Sequence, residues 1–411
     1  MSLRRLAILS VHTSPLAQPG TGDGGGMNVY VRSLASGLAR AGVECDVLTR
    51  RDRPSQDAVV DVEPGFRVVH LDAGPAEPVA KHDLVDLVDP MAAAVLEHVA
   101  SEDVHYDALH ANYWISGAVG HRLKHQLDRP LVATFHTLAR VKADAGVDDD
   151  PVQRAREEQE IIRCADLMLA STDDERHQLR SLYGANCDRI EVVPPGVDHE
   201  VFRVGDAAER AADRAALNLN GQPALLFAGR IQPLKGADLA VCALAALEDS
   251  DAVLFIVGGP SGASGKAEVA HLHELAHDLG VTDRVRFVPP QTHEQLARFY
   301  RAVDVCIVPS HAESFGLVAL EAAACGTPVV AAAVGGLCSL VDDGVTGFLV
   351  DGRDPADFAV PVERLIDDPD MANAMGVAAE LRSRRYGWSM TAAKLRRLYA
   401  DLLAREPVSC R

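Results

Sequence analysis

The feature that most limits how this chain can fold is a repeated alternation of short apolar runs with stretches of helical spacing. In the first half the runs fall at 6–11, 44–48, 67–71, 107–110, 131–135, 167–170 and 190–193. Strands separated by helical segments are the pattern of parallel sheets in α/β folds. Between the first two runs a helix begins near Gly26, where Met27, Val31, Leu34 and Leu38 form one apolar stripe. Pro194-Pro195-Gly196 breaks the rhythm, and a polar, charged stretch over 205–214 follows. The rhythm then restarts at 224–228, 252–257, 284–288, 304–309, 328–332 and 347–350. A chain of 411 residues is too long for one hydrophobic core. The expected organisation is therefore α/β, with one domain over 1–200, a second over 201–387, and a C-terminal helix over 388–411 packing back on the first. That last segment carries Leu395, Leu398, Leu402 and Leu403 at helical spacing, and no short-period repeat points to a solenoid.

The formal charge of −19 argues against nucleic acid or an anionic membrane as the main partner. An anionic ligand would need cations gathered locally. Arg4-Arg5 followed by the apolar run to Ser10 is too short for a signal peptide and reads as a buried first strand. No apolar stretch approaches the roughly 18 residues that span a bilayer, so stable membrane insertion is not expected. The eight cysteines show no CxxC spacing, and several lie in apolar runs. Free thiols and a cytoplasmic location are the expectation.

Three segments carry chemistry. Gly20-Thr21-Gly22-Asp23-Gly24-Gly25-Gly26 formally satisfies G-x-G-x-x-G, and glycines let backbone amides approach a phosphate at a helix start. Some fifteen residues separate strand from helix, whereas a dinucleotide turn is tight, and the next strand ends Leu48-Thr49-Arg50-Arg51 without the ribose-binding acid. Contact with a sugar or phosphate is favoured over a dinucleotide cofactor, and a bare flexible loop is the bland alternative. Gly229-Arg230-Ile231-Gln232-Pro233-Leu234-Lys235-Gly236 follows a strand and opens a helix, so Arg230 and Lys235 can clamp a diphosphate. In Pro309-Ser310-His311-Ala312-Glu313-Ser314-Phe315-Gly316-Leu317, with Glu321 beyond, two carboxylates are eight positions apart. Each accepts two hydroxyl hydrogen bonds, which suits Glu321 to a ribose and Glu313 to a hexose. A helix-start charge or a cap would explain one glutamate but not the run.

Arg230 and Lys235 followed by Glu313 and Glu321 resemble the retaining family 4 glycosyltransferases. That resemblance implies a GT-B fold of two Rossmann-like domains facing a central cleft, and a UDP-sugar donor. Within the family, the stretch from His12 through Gln18-Pro19 to Asp23-Gly24-Gly25-Gly26-Met27-Asn28 is similar to members that transfer N-acetylglucosamine from UDP-GlcNAc to 1D-myo-inositol 3-phosphate in mycothiol biosynthesis. The resemblance implies that Lys81, Tyr113, Thr137 and Arg154 bind the phosphate of the acceptor, a phosphorylated cyclitol or sugar. Two cations and two hydroxyls suit a phosphate dianion; singly, Lys81 and Arg154 would be solvated charges and Tyr113 a half-buried ring. It further implies acceptor contacts at His12 and 23–28, and donor contacts at Gln18, Pro19, Gly26, Gln291, Ser314, Phe315, Gly316 and Leu317. Gln291 departs from the family pattern, which has an arginine there. A structural magnesium on backbone oxygens of Tyr300, Arg301, Val303 and Thr327, and a homodimer, are also implied.

The expected reaction is a front-face substitution with Arg230 and Lys235 stabilising the leaving diphosphate, Glu313 orienting the sugar and His136 lining the reaction centre, with no catalytic metal or cofactor. Three other readings stay open: a relative using another phosphorylated acceptor, such as fructose 6-phosphate in sucrose-phosphate synthesis, or another nucleotide-sugar donor; an NAD-dependent oxidoreductase; and a non-catalytic sugar-nucleotide sensor.

Overall fold

The structure, a computed structural model, describes residues 3–22, 24–80, 83–144, 146, 152–247, 250–262 and 265–409. The chain divides into two compact units. Unit 1 comprises Met1–Ala17, Gly26–Gly196 and Trp388–Arg411, and unit 2 comprises Gln18–Gly25 and Val197–Gly387. The glycine loop is thus split: its first part packs with the second half of the sequence.

Unit 1 is built on an eight-stranded sheet of β1 (Arg5–Leu9), β2 (Glu44–Arg50), β3 (Val59–Glu63), β4 (Phe66–Leu71), β5 (Ala108–Asn112), β6 (Leu131–Thr134), β7 (Leu167–Ala170) and β8 (Ile190–Val192). The spatial order is β3-β4-β2-β1-β5-β6-β7-β8, all parallel except the β3–β4 pair. Alternate residues of β1 feed two cores: Leu6 and Ile8 join one and Ala7 and Leu9 the other, because successive side chains leave a strand on opposite faces. The Gly26–Arg40 helix covers the first core with Tyr30, Val31, Leu34 and Leu38. Against it lies the Trp388–Leu403 helix, burying Ala392, Leu395, Tyr399 and Leu402. Tyr399 reaches the sheet itself, its hydroxyl 2.7 Å from Nδ1 of His110 on β5. Leu395 is fully buried, and truncating it to Ala would cost about 2–5 kcal/mol. β3 is the strand that the sequence reading lacks. Val59-Val60-Asp61-Val62-Glu63 is half polar, and its residues are exposed or only partly buried, so no apolar run marks it.

Unit 2 carries a six-stranded, wholly parallel sheet of β9 (Ala224–Ala228), β10 (Val253–Val257), β11 (Val285–Val288), β12 (Val305–Val308), β13 (Val329–Ala332) and β14 (Gly347–Val350), ordered β11-β10-β9-β12-β13-β14. The polar stretch at 205–214 turns out to hold a helix, Ala207–Ala216, started by a capping box between Asp206 and Glu209. Asp304 receives Arg210 and Arg214 of that helix at 2.7 and 3.2 Å.

In both sheets the strand order reverses beside the first strand, between β1 and β5 and between β9 and β12. Ligands of open α/β sheets bind outside the carboxyl ends of strands at such a switch point. The segments emerging there are 10–17 and Tyr113 in unit 1, and 229–236 and 309–316 in unit 2.

Six cysteines (Cys45, Cys187, Cys242, Cys306, Cys325, Cys338) are free thiols. Cys164 corrects the expectation of free thiols throughout: it is disulfide-bonded, a pairing set by spatial approach that sequence spacing does not reveal. No helix among the described residues is long and apolar enough to cross a membrane.

Candidate active site

In unit 1 the site begins with a strained backbone. Tyr113, directly after β5, has φ 75° and ψ 158°, a conformation that costs a residue with a side chain on the order of 1–3 kcal/mol. It is held by its own amide donating to Thr134 O at 2.8 Å and its carbonyl accepting from Gly117 N at 2.9 Å. The Tyr113 ring then lies 4.6 Å from that of His12, at the end of β1. Arg154, on the Val152–Cys164 helix, is fully buried rather than a solvated charge. Its guanidinium donates to the Tyr113 hydroxyl at 3.1 Å, to Thr137 O and Oγ1 at 2.6 and 3.0 Å, and to Glu158 Oε1 at 2.7 Å. Three of the four residues expected at the phosphate are therefore together. The fourth, Lys81, lies outside the described residues, as does Asp23.

Glu158 is the partner that sequence reading missed. It is wholly buried, accepts from Ala139 N at 3.1 Å and is hydrogen-bonded by the Tyr183 hydroxyl. Arg154-x-x-x-Glu158 is the ordinary i,i+4 ion-pair spacing of a helix, so the signal was present in the sequence.

His136 also sits at positive φ, 61°. Its Nε2 is 3.0 Å from Oδ1 of Asn112, and its ring meets the edge of Tyr30 at 4.8 Å. Burial pushes its pKa down to about 3, so the ring is neutral at neutral pH. Asn28 is buried and donates to Thr13 Oγ1 and Ser14 O at 2.8 and 2.7 Å, fixing the 10–17 loop. Gly26 and Met27 open the helix that carries it.

In unit 2 two loops are tied together. His311 N donates to Leu234 O at 2.8 Å, and Lys235 Nζ meets Glu313 Oε2 at 2.5 Å. Ser310 Oγ reaches the same carboxylate oxygen at 3.4 Å. Arg353, not foreseen, donates to Pro309 O and Ser310 O at 3.0 and 3.3 Å and holds the turn. Glu313's backbone is clamped from the other side: a Cβ at Gly335 would stand 2.1 Å from Glu313 O, which accepts from Gly336 N at 2.8 Å. Arg230 lies along Gly25, where a Cβ would come within 2.9 Å of its Nε.

Gln18 Nε2 donates to Gln291 O at 2.8 Å, and Gly20 packs on Pro290. Pro19, Gly24 and Gly25 belong to this same unit. Ser314 and Phe315 lead through Gly316 into the Leu317–Ala324 helix. Phe315 is buried, its ring edge-on to Tyr386 at 5.8 Å. Glu321, on that helix, is buried; it accepts from the Tyr300 hydroxyl at 2.9 Å, and burial raises its pKa to about 7.

Two of the backbone oxygens expected to hold magnesium are already engaged in hydrogen bonds. Tyr300 O already accepts from Thr327 Oγ1 at 2.6 Å, and Val303 O faces the Arg210 guanidinium at 3.4 Å. No step below uses a metal.

Residues 24–201 match the Glycosyltransferase Family 4 family, and residues 209–382 match Glycosyl transferases group 1. A D-inositol 3-phosphate glycosyltransferase of Xylanimonas cellulosilytica is 47% identical over 98% of this chain and 98% of its own. The chain belongs to the D-inositol 3-phosphate glycosyltransferases. Among solved structures, the sucrose-phosphate synthase of Thermosynechococcus elongatus superposes with a TM-score of 0.91 at 33% identity, covering 98% of this chain and 99% of that one. Anabaena HepE, in complex with UDP and glucose, gives 0.78 at 20% identity, covering 97% and 100%, and shares the fold. The fold of this D-inositol 3-phosphate glycosyltransferase family member is thus GT-B, and the chain is a glycosyltransferase.

Proposed function

We propose that this enzyme transfers N-acetylglucosamine from UDP-GlcNAc to 1D-myo-inositol 3-phosphate with retention, the first step of mycothiol biosynthesis. The observation that carries the acceptor half is the meeting of Arg154 with the Tyr113 and Thr137 hydroxyls beside the strained end of β5. The two hydroxyls, with the buried Arg154 charge directly behind them, fit a phosphate, and Lys81 is the second cation. His12, Asn28 and the 23–27 loop hold cyclitol hydroxyls. The donor half rests on Arg230 and Lys235 for the diphosphate, Glu313 for the hexose, Glu321 for the ribose, and Gln18 and Gln291 near the base. HepE forms a complex with UDP and glucose, which supports a UDP-sugar for this chain.

In the reaction the bond from the anomeric carbon to the β-phosphate oxygen breaks, and the bond to the acceptor oxygen forms on the same face. The departing phosphate oxygen takes the acceptor proton, and the charge it gains meets Arg230 and Lys235, which stabilise the transition state more than the ground state. His136, uncharged, lines the reaction centre without competing for the leaving group. We read the enzyme as a cytoplasmic homodimer, on the family resemblance.

A second reading follows from the sucrose-phosphate synthase likeness: fructose 6-phosphate as acceptor. Mass spectrometry of products from UDP-GlcNAc and UDP-glucose, each with inositol 3-phosphate, free inositol and fructose 6-phosphate, separates them. The proposal expects a glycosylated inositol phosphate from UDP-GlcNAc. Sucrose phosphate as the main product, or equal use of inositol and its phosphate, would overturn it.

A further inference from the structure

Outside both half-sites, unit 1 holds a cluster that the reaction does not use. The Trp114–Leu127 helix presents His121 and His125 one turn apart, with ring centroids 5.6 Å from each other. Cys164, the last residue of the Val152–Cys164 helix, lies against them, its Sγ 3.4 Å from His125 Nε2. One ligand atom from each of the three falls within 4.8 Å of the others. Residues four apart on a helix share a face, which is how two imidazoles come to bind one ion. Metal–donor bonds of about 2.0–2.3 Å require the three atoms to close by roughly 1 Å, within the reach of side-chain rotation.

The backbone beneath the cluster is fixed. Lys124, between the two histidines, is buried, donates to Cys164 O at 2.7 Å and pairs with Asp166 at 2.7 Å. The two helices are also drawn close at Gly117, where a Cβ would stand 2.7 Å from Ile161. Only side chains need to move. Two imidazoles and one sulfur make a borderline-soft donor set, suited to zinc and unsuited to magnesium or calcium. Cys164 is disulfide-bonded, and a disulfide sulfur is not a thiolate ligand.

We propose that reduction of the Cys164 disulfide by a dithiol creates a site for one zinc-class divalent cation, held by His121, His125 and the Cys164 thiolate. Exchange passes two electrons and two protons from the dithiol to the disulfide; the dithiol leaves as its own disulfide, and Cys164 and the sulfur it was bonded to both become thiols. Binding of the ion displaces the thiol proton to solvent, while both imidazoles bind neutral. A fourth position stays open to water.

The test uses the full-length protein, reduced with dithiothreitol, desalted without oxygen and titrated with Co²⁺. One equivalent should produce a thiolate-to-cobalt absorption band that Zn²⁺ displaces. The unreduced protein and Cys164→Ser should lack the band. His125→Ala, at an exposed position, should weaken Zn²⁺ binding by about tenfold or more, and His121→Ala should act likewise. No band in the reduced protein would overturn the proposal. A band that persists undiminished in Cys164→Ser or in the double histidine variant would also overturn it, by placing the metal on other thiols. Should Cys164→Ser fail to fold, the histidine variants decide the matter.

Discussion

The two half-sites each centre on an ion pair, and the pairs differ in kind. In unit 1, Arg154 and Glu158 stand 2.7 Å apart and neither has any exposed side chain. In unit 2, Lys235 and Glu313 stand 2.5 Å apart with 23% and 17% of their side chains exposed. A buried pair cannot open for a ligand without stranding a charge, so Arg154 acts as a frame, with Glu158 on one side and Tyr113 and Thr137 on the other. A partly exposed pair opens at little cost. In the proposed reaction an arriving diphosphate takes Lys235 while the sugar's hydroxyls take Glu313. One half-site is set by folding, and the other is poised to exchange partners.

The largest effect that tests this contrast is on stability. Arg154→Ala leaves Glu158 buried without its cation and should lower the unfolding free energy by about 3–5 kcal/mol, read by denaturant titration. A loss below about 1 kcal/mol would make the two pairs alike and break the comparison.

In unit 2 the effect should fall on rate. Lys235→Ala or Arg230→Ala should lower kcat by the equivalent of about 2–4 kcal/mol, because charge on the diphosphate grows towards the transition state. Stability should change by no more than about 1 kcal/mol. Wild-type turnover in both variants would remove these cations from the mechanism.

Most of the scaffold was legible because apolar runs mark buried strands whatever their function; β9 to β14 all coincide with such runs. β3 was not, since a half-polar edge strand has no such mark. Of the site, the residues in contiguous loops were visible: Arg230, Lys235 and Glu313 follow strand ends within unbroken motifs. The environment of Arg154 was not. Its burial depends on Glu158, Tyr183 and Ala139 meeting from three segments, and a lone arginine on a helix looks like surface. The division of the glycine loop between the two units was hidden for the same reason, because only spatial packing puts Gly20 on Pro290 and Gly25 on Arg230.

Titration offers a finer distinction. His110 and His136 of unit 1 both have pKa values pushed down to about 3 by burial. The unfolded chain binds their protons first, so their contribution is complete above pH 6.5 and is lost as pH falls towards 3. Glu321 of unit 2 is raised to about 7 by burial. The folded state holds that proton more tightly, so its contribution is present below pH 4.5 and is lost as pH rises through 7. Above pH 6.5 the histidines no longer add to the pH dependence, and Glu175, raised to about 7 like Glu321, acts alongside it. Glu321→Gln should therefore flatten the fall in stability between pH 6.5 and 8 by about 1 kcal/mol. An identical pH slope in the variant would mean that Glu321 is ionised in the folded protein throughout.

The smallest effect sharpens what the frame in unit 1 is for. Tyr113→Phe keeps the ring against His12 and removes only the hydroxyl that Arg154 contacts at 3.1 Å. Thr137→Val likewise removes the hydroxyl but leaves the carbonyl that accepts from Arg154 at 2.6 Å. In both variants Arg154 remains paired with Glu158, so the stability that Arg154→Ala loses should be kept. If the hydroxyls bind the acceptor phosphate, each loss should raise KM for inositol 3-phosphate by the equivalent of about 0.5–1.5 kcal/mol. KM for the nucleotide sugar should hold steady, and the preference for phosphorylated over free inositol should narrow. A merely structural hydroxyl would instead lower stability and affect both acceptors alike. Unchanged discrimination in both variants, with the fold intact, would leave Arg154 as a frame for the loop and would require the phosphate to be bound elsewhere in unit 1.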